Sequence, residues 1–338
     1  MSTARPRLEI AHLARAELMT PDLEGSLWFF TELLGMRETA RVGDSVYLRA
    51  FEDPYHHSLK LTAADRAGIG VMGWRTTSQD AFDRRRDAVD KAGLGLGPTR
   101  GDEGVGETFA FQTPDGHSME LIWNVEKYQA PPELRSPILT RASKRPLKGV
   151  PVRRMDHVNL LASDVRAQKD ALEQTLGFDV REVMVDGNVD VGAWLSVNQL
   201  SHEIAVMNDA SGAKGRLHHL AFYFGSPQYS FDFLEICREN GVRIEMGPGM
   251  HGATQGLYLY VFEPGGNRIE FFGTVGFLNF DPDVDTKVWS VEEFMNGCGV
   301  SVGSSLFPEE FMLFGTPVVD LAAGEPIDGT GARLGALA

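Results

Sequence analysis

Two histidines and one glutamate in the second half of the chain have the residue types of a catalytic metal site. His157 lies in MDHVNL, His219 in RLHHLAF and Glu270 in NRIEFF, and each segment is an apolar, strand-like run. Two neutral imidazoles and one carboxylate form a facial triad, which leaves open positions on a non-haem Fe(II) ion for a substrate and dioxygen. A buried strand histidine taken alone is also commonly a hydrogen-bonded core residue, so spacing alone leaves both interpretations open.

Strands of one curved sheet could bring these side chains together. Alternate side chains of a strand point to the same face, so residues on several strands can converge inside the sheet. The segments VGAWLSV, EIAVMN and RLHHLAFYF have strand character, and LYLYVFEPGG with NRIEFFG predicts a hairpin around a Pro-Gly-Gly turn. Apolar spacing predicts one helix that begins at the acidic residue Asp164, contains Val165, Leu172 and Leu176, and ends at Gly177. It predicts a second helix in YSFDFLEICRENG, which ends at Gly241.

The chain contains a weak internal repeat. TPDLEGSLWFFTELLGM and ASDVRAQKDALEQTLGF form one pair of segments, in which Asp22 matches Asp164. FAFQTPDGHSMELIW and YVFEPGGNRIEFFG form a second pair, in which Glu120 matches Glu270. Because these signals come in the same order in both halves, the two halves are predicted to share one fold. The order of strand-like and helical segments within each half predicts two β-α-β-β-β-like units.

The first half lacks the histidines of the predicted metal site. The segment IGVMGWRTT stands where RLHHLAF would be, and it contains no histidine. His12 lies further before Asp22 than His157 lies before Asp164, so His12 is out of register. We therefore expect the first half to be a structural partner without a metal.

The length of 338 residues suits two domains of about 150 residues each. The proline-rich and basic segment between the halves is typical of a linker, and the end of the chain has no clear period. The predicted parts are an N-terminal domain over 8–128, a linker over 129–150, a catalytic domain over 151–275, and a tail over 276–338 that packs near the active site.

Composition excludes several classes of partner. The formal charge of −15 argues against nucleic acid and anionic membranes, since both need a basic surface. We find no apolar run long enough for a membrane span and expect no signal peptide, because the first residues lack an apolar core. Only two cysteines, Cys237 and Cys298, are present. This predicts a cytoplasmic protein without a disulfide framework.

At this point the sequence resembles the extradiol catechol dioxygenases of the vicinal-oxygen-chelate superfamily. GLYLYVFEPGGNRIEFFG looks like the family signature that ends in the metal-binding glutamate, here Glu270. RLHHLAF looks like the second ligand strand, in which the second histidine of the pair, His219, is the ligand, and MDHVNL looks like the first. The resemblance covers about residues 8 to 290. It implies an α+β fold, namely a duplicated two-domain vicinal-oxygen-chelate fold built from four βαβββ modules.

The resemblance implies roles for further residues. His202 in QLSHEIAV matches the acid-base histidine of the family, which takes a proton from the substrate hydroxyl and later returns it. An ordinary imidazole titrates near pH 6.5, so we expect this role to need little adjustment of the His202 pKa. Tyr260 matches the tyrosine that hydrogen-bonds a substrate oxygen. Tyr260 is expected to share a face of the hairpin with Glu270, because an even number of residues separates them. Tyr258 has the same parity and is the less favoured candidate for this role.

Three more residues are implied to surround the substrate. His251 in GPGMHGATQG matches a family histidine near the ring edge, and Asn159 and Trp194 resemble pocket residues of some members. The implied cofactor is Fe(II), although the same ligands also suit Mn(II). The implied reaction breaks the ring bond beside the diol of a catechol with dioxygen, and it gives a product of the 2-hydroxymuconic semialdehyde type.

Two departures from the family pattern bear on the substrate. Relatives that cleave carboxylated catechols carry an arginine near the GPG loop, where this chain has Met246, and another in the tail, where VEEFMNGCGVSVG has no Arg or Lys. A substrate carboxylate would lack its bidentate partner. An uncharged catechol, alkylcatechol or chlorocatechol is therefore predicted.

Two other functions remain compatible with the same fold. One is a glyoxalase-like metal-dependent isomerase or lyase, although such enzymes usually assemble their ligands from both halves or from two chains. The other is a non-catalytic protein that binds aromatic ligands, and the complete triad together with His202 argues against it. The remaining expectations are a homo-oligomer, either a dimer or a tetramer, and no nucleic-acid or membrane partner.

Overall fold

The first domain is a mixed sheet with two helices. The structure, a computed structural model, describes residues 8–281, 283–295, 309–320 and 325–326. The strands and helices of the first domain are β1 (Ile10–Thr20), α1 (Leu23–Trp28, continued as a π-helical turn over Phe29–Leu33), β2 (Arg37–Val42), β3 (Ser45–Arg49), β4 (Leu59–Ala63), β5 (Gly68–Thr76), α2 (Gln79–Lys91), β6 (Gly95–Thr99), β7 (Thr108–Gln112) and β8 (Ser118–Ile122).

The second domain repeats this order of elements after a segment that contains one short 3-10 turn, Pro132–Leu134. Its elements are β9 (Arg154–Ala162), α3 (Val165–Leu176), β10 (Asp179–Asp186), β11 (Val189–Ser196), β12 (Ile204–Asn208), β13 (Arg216–Tyr223), α4 (Pro227–Glu239), β14 (Arg243–Met250), β15 (Leu257–Phe262) and β16 (Arg268–Phe272). After these come β17 (Lys287–Ser290), α5 (Val291–Glu293), α6 (Glu309–Leu313), β18 (Val319–Asp320) and β19 (Glu325–Pro326).

Each domain consists of two βαβββ units joined side by side. The strand order is β2-β3-β4-β1-β5-β8-β7-β6 in the first sheet and β14-β15-β16-β13-β9-β12-β11-β10-β17 in the second. The first strands of the paired units meet antiparallel, β1 with β5 and β9 with β13. The predicted α+β fold with four modules is thus confirmed.

Local sequence explains where the helices begin and end. Asp164 caps α3, because its carboxylate accepts a hydrogen bond from the backbone N–H of Ala167 at 2.9 Å. Gly177 ends α3 in a left-handed conformation with φ of 76°, which glycine adopts without steric cost. Both were predicted helix signals. The second predicted helix, α4, stops just before Gly241, which also has a positive φ.

One apolar core continues across both domains. The fully buried ring of Trp74 in β5 packs edge-on against Phe178, with ring centroids 5.0 Å apart. Phe30 of the first domain lies against Phe222 of the second, with centroids 5.7 Å apart. Burial of large aromatic surfaces such as these is a major stabilising contribution, so the domains hold each other in a fixed arrangement.

The end of the chain returns to the second domain. Strand β17 extends the second sheet by pairing with β10, and Thr316 exchanges two backbone hydrogen bonds with Leu217 of β13. In the described part of the chain, no helix is long and apolar enough to cross a membrane. Cys298 lies outside the described residues, whereas Cys237 is buried with a free thiol.

Candidate metal centre and substrate pocket

Neighbouring strands of the second sheet carry the three predicted ligands. His157 lies on β9, His219 on β13 and Glu270 on β16, and all three are buried. Oε2 of Glu270 lies 2.9 Å from Nε2 of His157 and 3.1 Å from Nε2 of His219. The two imidazole Nε2 atoms are 3.3 Å apart.

This spacing fits a single metal ion. Two ligand atoms at right angles and about 2.1 Å from an ion lie about 3.0 Å apart, which is close to all three separations. Among the described residues, these three form the one group of histidine, cysteine and carboxylate side chains with converging ligand atoms. The arrangement therefore brings together the predicted facial triad.

The electrostatics of the cluster favour a positive charge at its centre. Burial opposes protonation of His157, but the carboxylates of Glu270 and Asp156 outweigh burial and raise its pKa to about 9. Burial also opposes ionisation of Glu270, yet its neighbour His157 holds the carboxyl pKa well below its usual range. Burial lowers the pKa of His219 to about 4, which keeps it in the neutral form that binds metals.

His202 lies beside the triad without joining it. The residue is buried, and its ring centroid is 4.2 Å from that of His157. Its Nδ1 lies 3.1 Å from the hydroxyl of Ser201. The expectation of an ordinary titration is wrong, because burial and the neighbouring His157 lower the His202 pKa well below its usual value. His202 is accordingly a neutral imidazole at pH 7, able to accept a proton.

His251 and Tyr260 form a pair on the other side of Glu270. Nε2 of His251 lies 3.0 Å from the Tyr260 hydroxyl and 3.5 Å from Oε1 of Glu270. Burial and the nearby Glu270 carboxylate raise the pKa of Tyr260 well above its usual value, so its hydroxyl stays protonated. Tyr260 pairs with Glu270 across β15 and β16, as the predicted parity required, and the Tyr258 ring lies 4.3 Å from the His251 ring.

A pocket opens onto the cluster, and all eight predicted site residues line it. Asn159 contributes a buried side-chain carbonyl with no hydrogen-bond partner among the described residues, so it is available to a ligand. Trp194 forms an apolar wall with Phe294, since the two rings stack with centroids 5.2 Å apart. The wall continues with residues from β12 and from the end of the chain: Met207, Met295, Phe311 and Met312.

Sequence reasoning missed the residues that hold the ligands. Asp156 accepts a hydrogen bond from Nδ1 of His157 at 2.9 Å and is paired with Arg154 at 2.7 Å. His218 lies against His219, with their Nδ1 atoms 2.7 Å apart. Asp156 and His218 each immediately precede a ligand in the sequence. The dipeptides Asp-His and His-His could therefore have identified them. Phe294 and Phe311 had no signal, because they approach the pocket only through tertiary packing.

The strand registers show what the first domain has at each corresponding position. Glu120 on β8 pairs with Gly73 on β5, and Glu270 on β16 pairs with Ala221 on β13. The pairing of β1 with β5 and β4 in the first domain likewise corresponds to the pairing of β9 with β13 and β12 in the second. The resulting matches are Glu120 with Glu270, Val71 with His219, Arg15 with His157, and His57 with His202.

An ion pair occupies the equivalent place in the first domain. Nε of Arg15 lies 2.5 Å from Oε1 of Glu120, and its Nη1 lies 3.2 Å from Oδ2 of Asp102. His57 lies 3.4 Å from the same guanidinium; burial and the Arg15 charge lower the pKa of His57 to about 3. The guanidinium thus supplies the positive charge that Glu120 requires.

Comparison with known proteins gives the family. The model of the Glyoxalase/Bleomycin resistance protein/Dioxygenase superfamily matches residues 9–121 and 154–271, one segment in each domain. The chain belongs to this superfamily. It is 44% identical over 321 residues to a metapyrocatechase from Geobacillus stearothermophilus, covering 95% of this chain and 98% of the relative.

Further relatives place the chain among the extradiol dioxygenases. It is 36% identical over 294 residues to a manganese-dependent 2,3-dihydroxybiphenyl 1,2-dioxygenase from Geobacillus genomosp. 3, covering 86% of this chain and 93% of the relative. The crystal structure of homoprotocatechuate 2,3-dioxygenase from Arthrobacter globiformis superposes with a TM-score of 0.80 at 26% identity, covering 98% of each chain. The chain is an extradiol dioxygenase, as the sequence resemblance implied.

Proposed function

We propose that this dioxygenase cleaves an uncharged catechol beside its diol, at an Fe(II) ion held by His157, His219 and Glu270. The observation that carries the proposal is the convergence of three buried ligand atoms, 2.9 to 3.3 Å apart, at the base of an apolar pocket. When bound, the ion supplies the redox chemistry through which dioxygen reacts with the catechol. The product would be of the 2-hydroxymuconic semialdehyde type.

His202 is the proposed acid-base residue. It is neutral at pH 7 and lies next to the triad, so it can take a proton from a catechol hydroxyl and return it later in the reaction. The Ser201 hydroxyl, 3.1 Å from its Nδ1, orients the ring. Its lowered pKa disfavours the protonated form, which suits a residue that must release the proton again.

Tyr260 and His251 are proposed to hold the substrate oxygens at the other side of the metal. Tyr260 keeps its proton because of burial and the Glu270 charge, so it can donate a hydrogen bond to a deprotonated catechol oxygen. His251, 3.0 Å from the Tyr260 hydroxyl, fixes the direction of that hydroxyl. Asn159 offers its unpaired carbonyl to the remaining hydroxyl.

The pocket walls support an uncharged ring. Among the described residues that line the pocket, none is arginine or lysine, so a ring carboxylate would be desolvated without a partner. Trp194 and Phe294 provide a flat apolar wall. Met207, Met295 and Met312 complete it, and flexible thioether side chains adapt to substituents of different shape. Alkyl- and chlorocatechols therefore fit this pocket better than carboxylated catechols.

A substrate panel tests this proposal. Metal-free protein is reconstituted anaerobically with Fe(II), and catechol, 3-methylcatechol, 4-chlorocatechol and homoprotocatechuate are then added under air. We expect a yellow ring-fission product from the first three and little from homoprotocatechuate. Bound iron without any product would exclude ring cleavage, whereas fast turnover of homoprotocatechuate would exclude the uncharged-substrate assignment.

The metal preference is tested by loading the same preparation with Mn(II). The triad of two imidazoles and a carboxylate binds both ions, and one relative is named as manganese-dependent. We propose Fe(II) as the working ion. Activity per bound metal should be higher with Fe(II), and the reverse ranking would assign manganese.

We also propose that the enzyme is a homo-oligomer, either a dimer or a tetramer. Leu139 and Leu147, in the segment between the domains, are fully exposed, and exposed apolar side chains of this kind are candidates for burial between subunits. Light scattering after size-exclusion chromatography gives the mass in solution. A monomer mass across the working concentration range would overturn this proposal.

A further inference from the structure

A chain of hydrogen bonds joins the end of the polypeptide to a metal ligand. Nε2 of His218 lies 2.8 Å from the backbone carbonyl of Phe311. Nδ1 of His218 lies 2.7 Å from Nδ1 of His219, and Nε2 of His219 faces Glu270 at 3.1 Å. All four participating residues are buried, so water does not compete for these bonds.

The hydrogen-bonding groups determine which ring nitrogen of His218 and of His219 carries the proton. A carbonyl oxygen can only accept, so the Phe311 carbonyl requires the proton of His218 on Nε2. A neutral His218 then has a bare Nδ1, which can only accept from Nδ1–H of His219. His219, also neutral, is left with a bare Nε2. This is the atom that must point its lone pair at the metal.

We propose that His218 is a positioning residue, through which the Phe311 carbonyl of the C-terminal segment sets the tautomer and ring orientation of the ligand His219. The inference rests on the proposed metal site and extends it to a residue and a segment outside the triad. It gives the two histidine ligands different supports. His157 is held by the carboxylate of Asp156, whereas His219 is held by an uncharged imidazole.

Other hydrogen bonds keep the C-terminal segment against this relay. Arg268 of β16 donates to the backbone carbonyls of both His218 and Phe314, at 3.2 and 2.9 Å. Arg216 donates to the carbonyl of Gly315 at 3.0 Å. Phe311 also lines the substrate pocket. The same short segment therefore closes the pocket and orients a metal ligand, so the two properties are coupled.

Mn(II) binding to metal-free protein tests the relay without any measurement of turnover. His218→Phe removes both hydrogen bonds but keeps a ring of similar size. We expect its dissociation constant for Mn(II) to rise by about 10- to 100-fold, the usual range for loss of a partner behind a ligand. His218→Gln should restore most of the affinity, because its amide can accept from His219 and donate to the Phe311 carbonyl.

Two controls separate the relay from other effects. His117→Phe removes a buried histidine that bonds a backbone carbonyl, that of Arg216 at 3.0 Å, and it should leave Mn(II) affinity unchanged. His219→Ala should abolish Mn(II) binding. If His219→Ala binds Mn(II) as the wild type does, the metal site itself is wrongly assigned. If His219→Ala loses binding while His218→Phe binds normally, only the relay is overturned.

A spectroscopic measurement keeps the proposal testable if His218→Phe fails to fold. In wild-type protein with ¹⁵N-labelled histidine, the ring nitrogen shifts report which nitrogen carries the proton. We expect protonated Nε2 in His218 and protonated Nδ1 in His219. The opposite tautomer in either residue would overturn the relay.

Discussion

The two domains solve the same electrostatic problem in different ways. Each has a buried glutamate at the same position on its final central strand, Glu120 in the first domain and Glu270 in the second. Glu120 is neutralised by a cationic side chain of the same domain, because Nε of Arg15 lies 2.5 Å from Oε1 of Glu120. Glu270 instead faces two imidazole nitrogens, a set of side chains that can bind a metal ion.

The two domains share a carboxylate and a nearby histidine, which in the first domain are Glu120 and His57. Among the described residues of the first domain these side chains belong to no converging group of ligand atoms, because Arg15 and Val71 stand where the second domain has His157 and His219. The positions that support the ligands have also changed. Ala14 and Gly70 stand where the second domain has Asp156 and His218.

The largest expected effect is loss of the metal from the second domain. Replacing His157, His219 or Glu270 by Ala removes one of only three protein ligands, so bound iron and activity should both be lost while the fold survives. Iron content and circular dichroism of the purified variants measure this. Full iron content in any one variant would remove that residue from the ligand set.

The next effect separates proton transfer from metal binding. His202→Phe should keep iron and still bind catechol anaerobically, but turnover should fall by about 10²- to 10⁴-fold, the usual contribution of an acid-base residue. The matched control is His57→Phe, its counterpart in the first domain, which should leave turnover per bound iron unchanged. A native rate in His202→Phe would move the acid-base role to His251.

Breaking the ion pair of the first domain should affect stability rather than catalysis. Among the described residues, Glu120→Ala leaves the buried Arg15 with only Asp102 as a carboxylate partner, so the free energy of unfolding should fall by about 3 kcal/mol. Iron stoichiometry and turnover of the folded protein should stay near native. Denaturant unfolding and iron analysis test both parts, and loss of iron would reveal a metal role for the first domain.

Converting the first domain is a more demanding test of the comparison. Arg15→His together with Val71→His would place two imidazoles beside Glu120 and create a second Mn(II) site. That site should be at least about 10-fold weaker than the native one, since no partners hold the new histidines. Isothermal titration counts the sites. A single Mn(II) equivalent with an intact fold would show that the ligand types alone do not suffice.

The smallest expected effect concerns the contact between the domains at Glu203. Its carboxyl accepts the backbone N–H of Leu13 at 3.0 Å, and burial raises its pKa to about 8. The folded state therefore holds this proton more tightly than the unfolded state. The associated stability is complete below the unfolded pKa and is lost as pH rises through 8.

A thermal melting series from pH 6 to pH 9 measures this effect. The wild type should melt at a lower temperature at the alkaline end, and Glu203→Gln should flatten that part of the profile. Equal slopes for the two proteins would show that Glu203 does not titrate in this range.

Much of the fold follows from local sequence. Asp164 and Gly177 predicted both ends of α3, and the PGG turn predicted the pairing of β15 with β16, because caps and tight turns depend on a few adjacent residues. The repeat predicted that the two halves share one order of elements, since matching segments fold alike. The predicted hairpin likewise placed Tyr260 and Glu270 on neighbouring strands, where the two residues pair and share a face.

The sequence by itself determined the residue types of the triad and placed each of them in an apolar strand. Backbone geometry then fixes which side chains of that strand share a face. Only the tertiary structure decided what surrounds them. The pairing of Arg15 with Glu120, the approach of Phe294 and the hydrogen bond from His218 to the Phe311 carbonyl join residues far apart in the chain. The lowered pKa of His202 also depends on burial by several strands at once. These contacts cannot be predicted from a local sequence pattern, because they form only when the core and the C-terminal segment have packed.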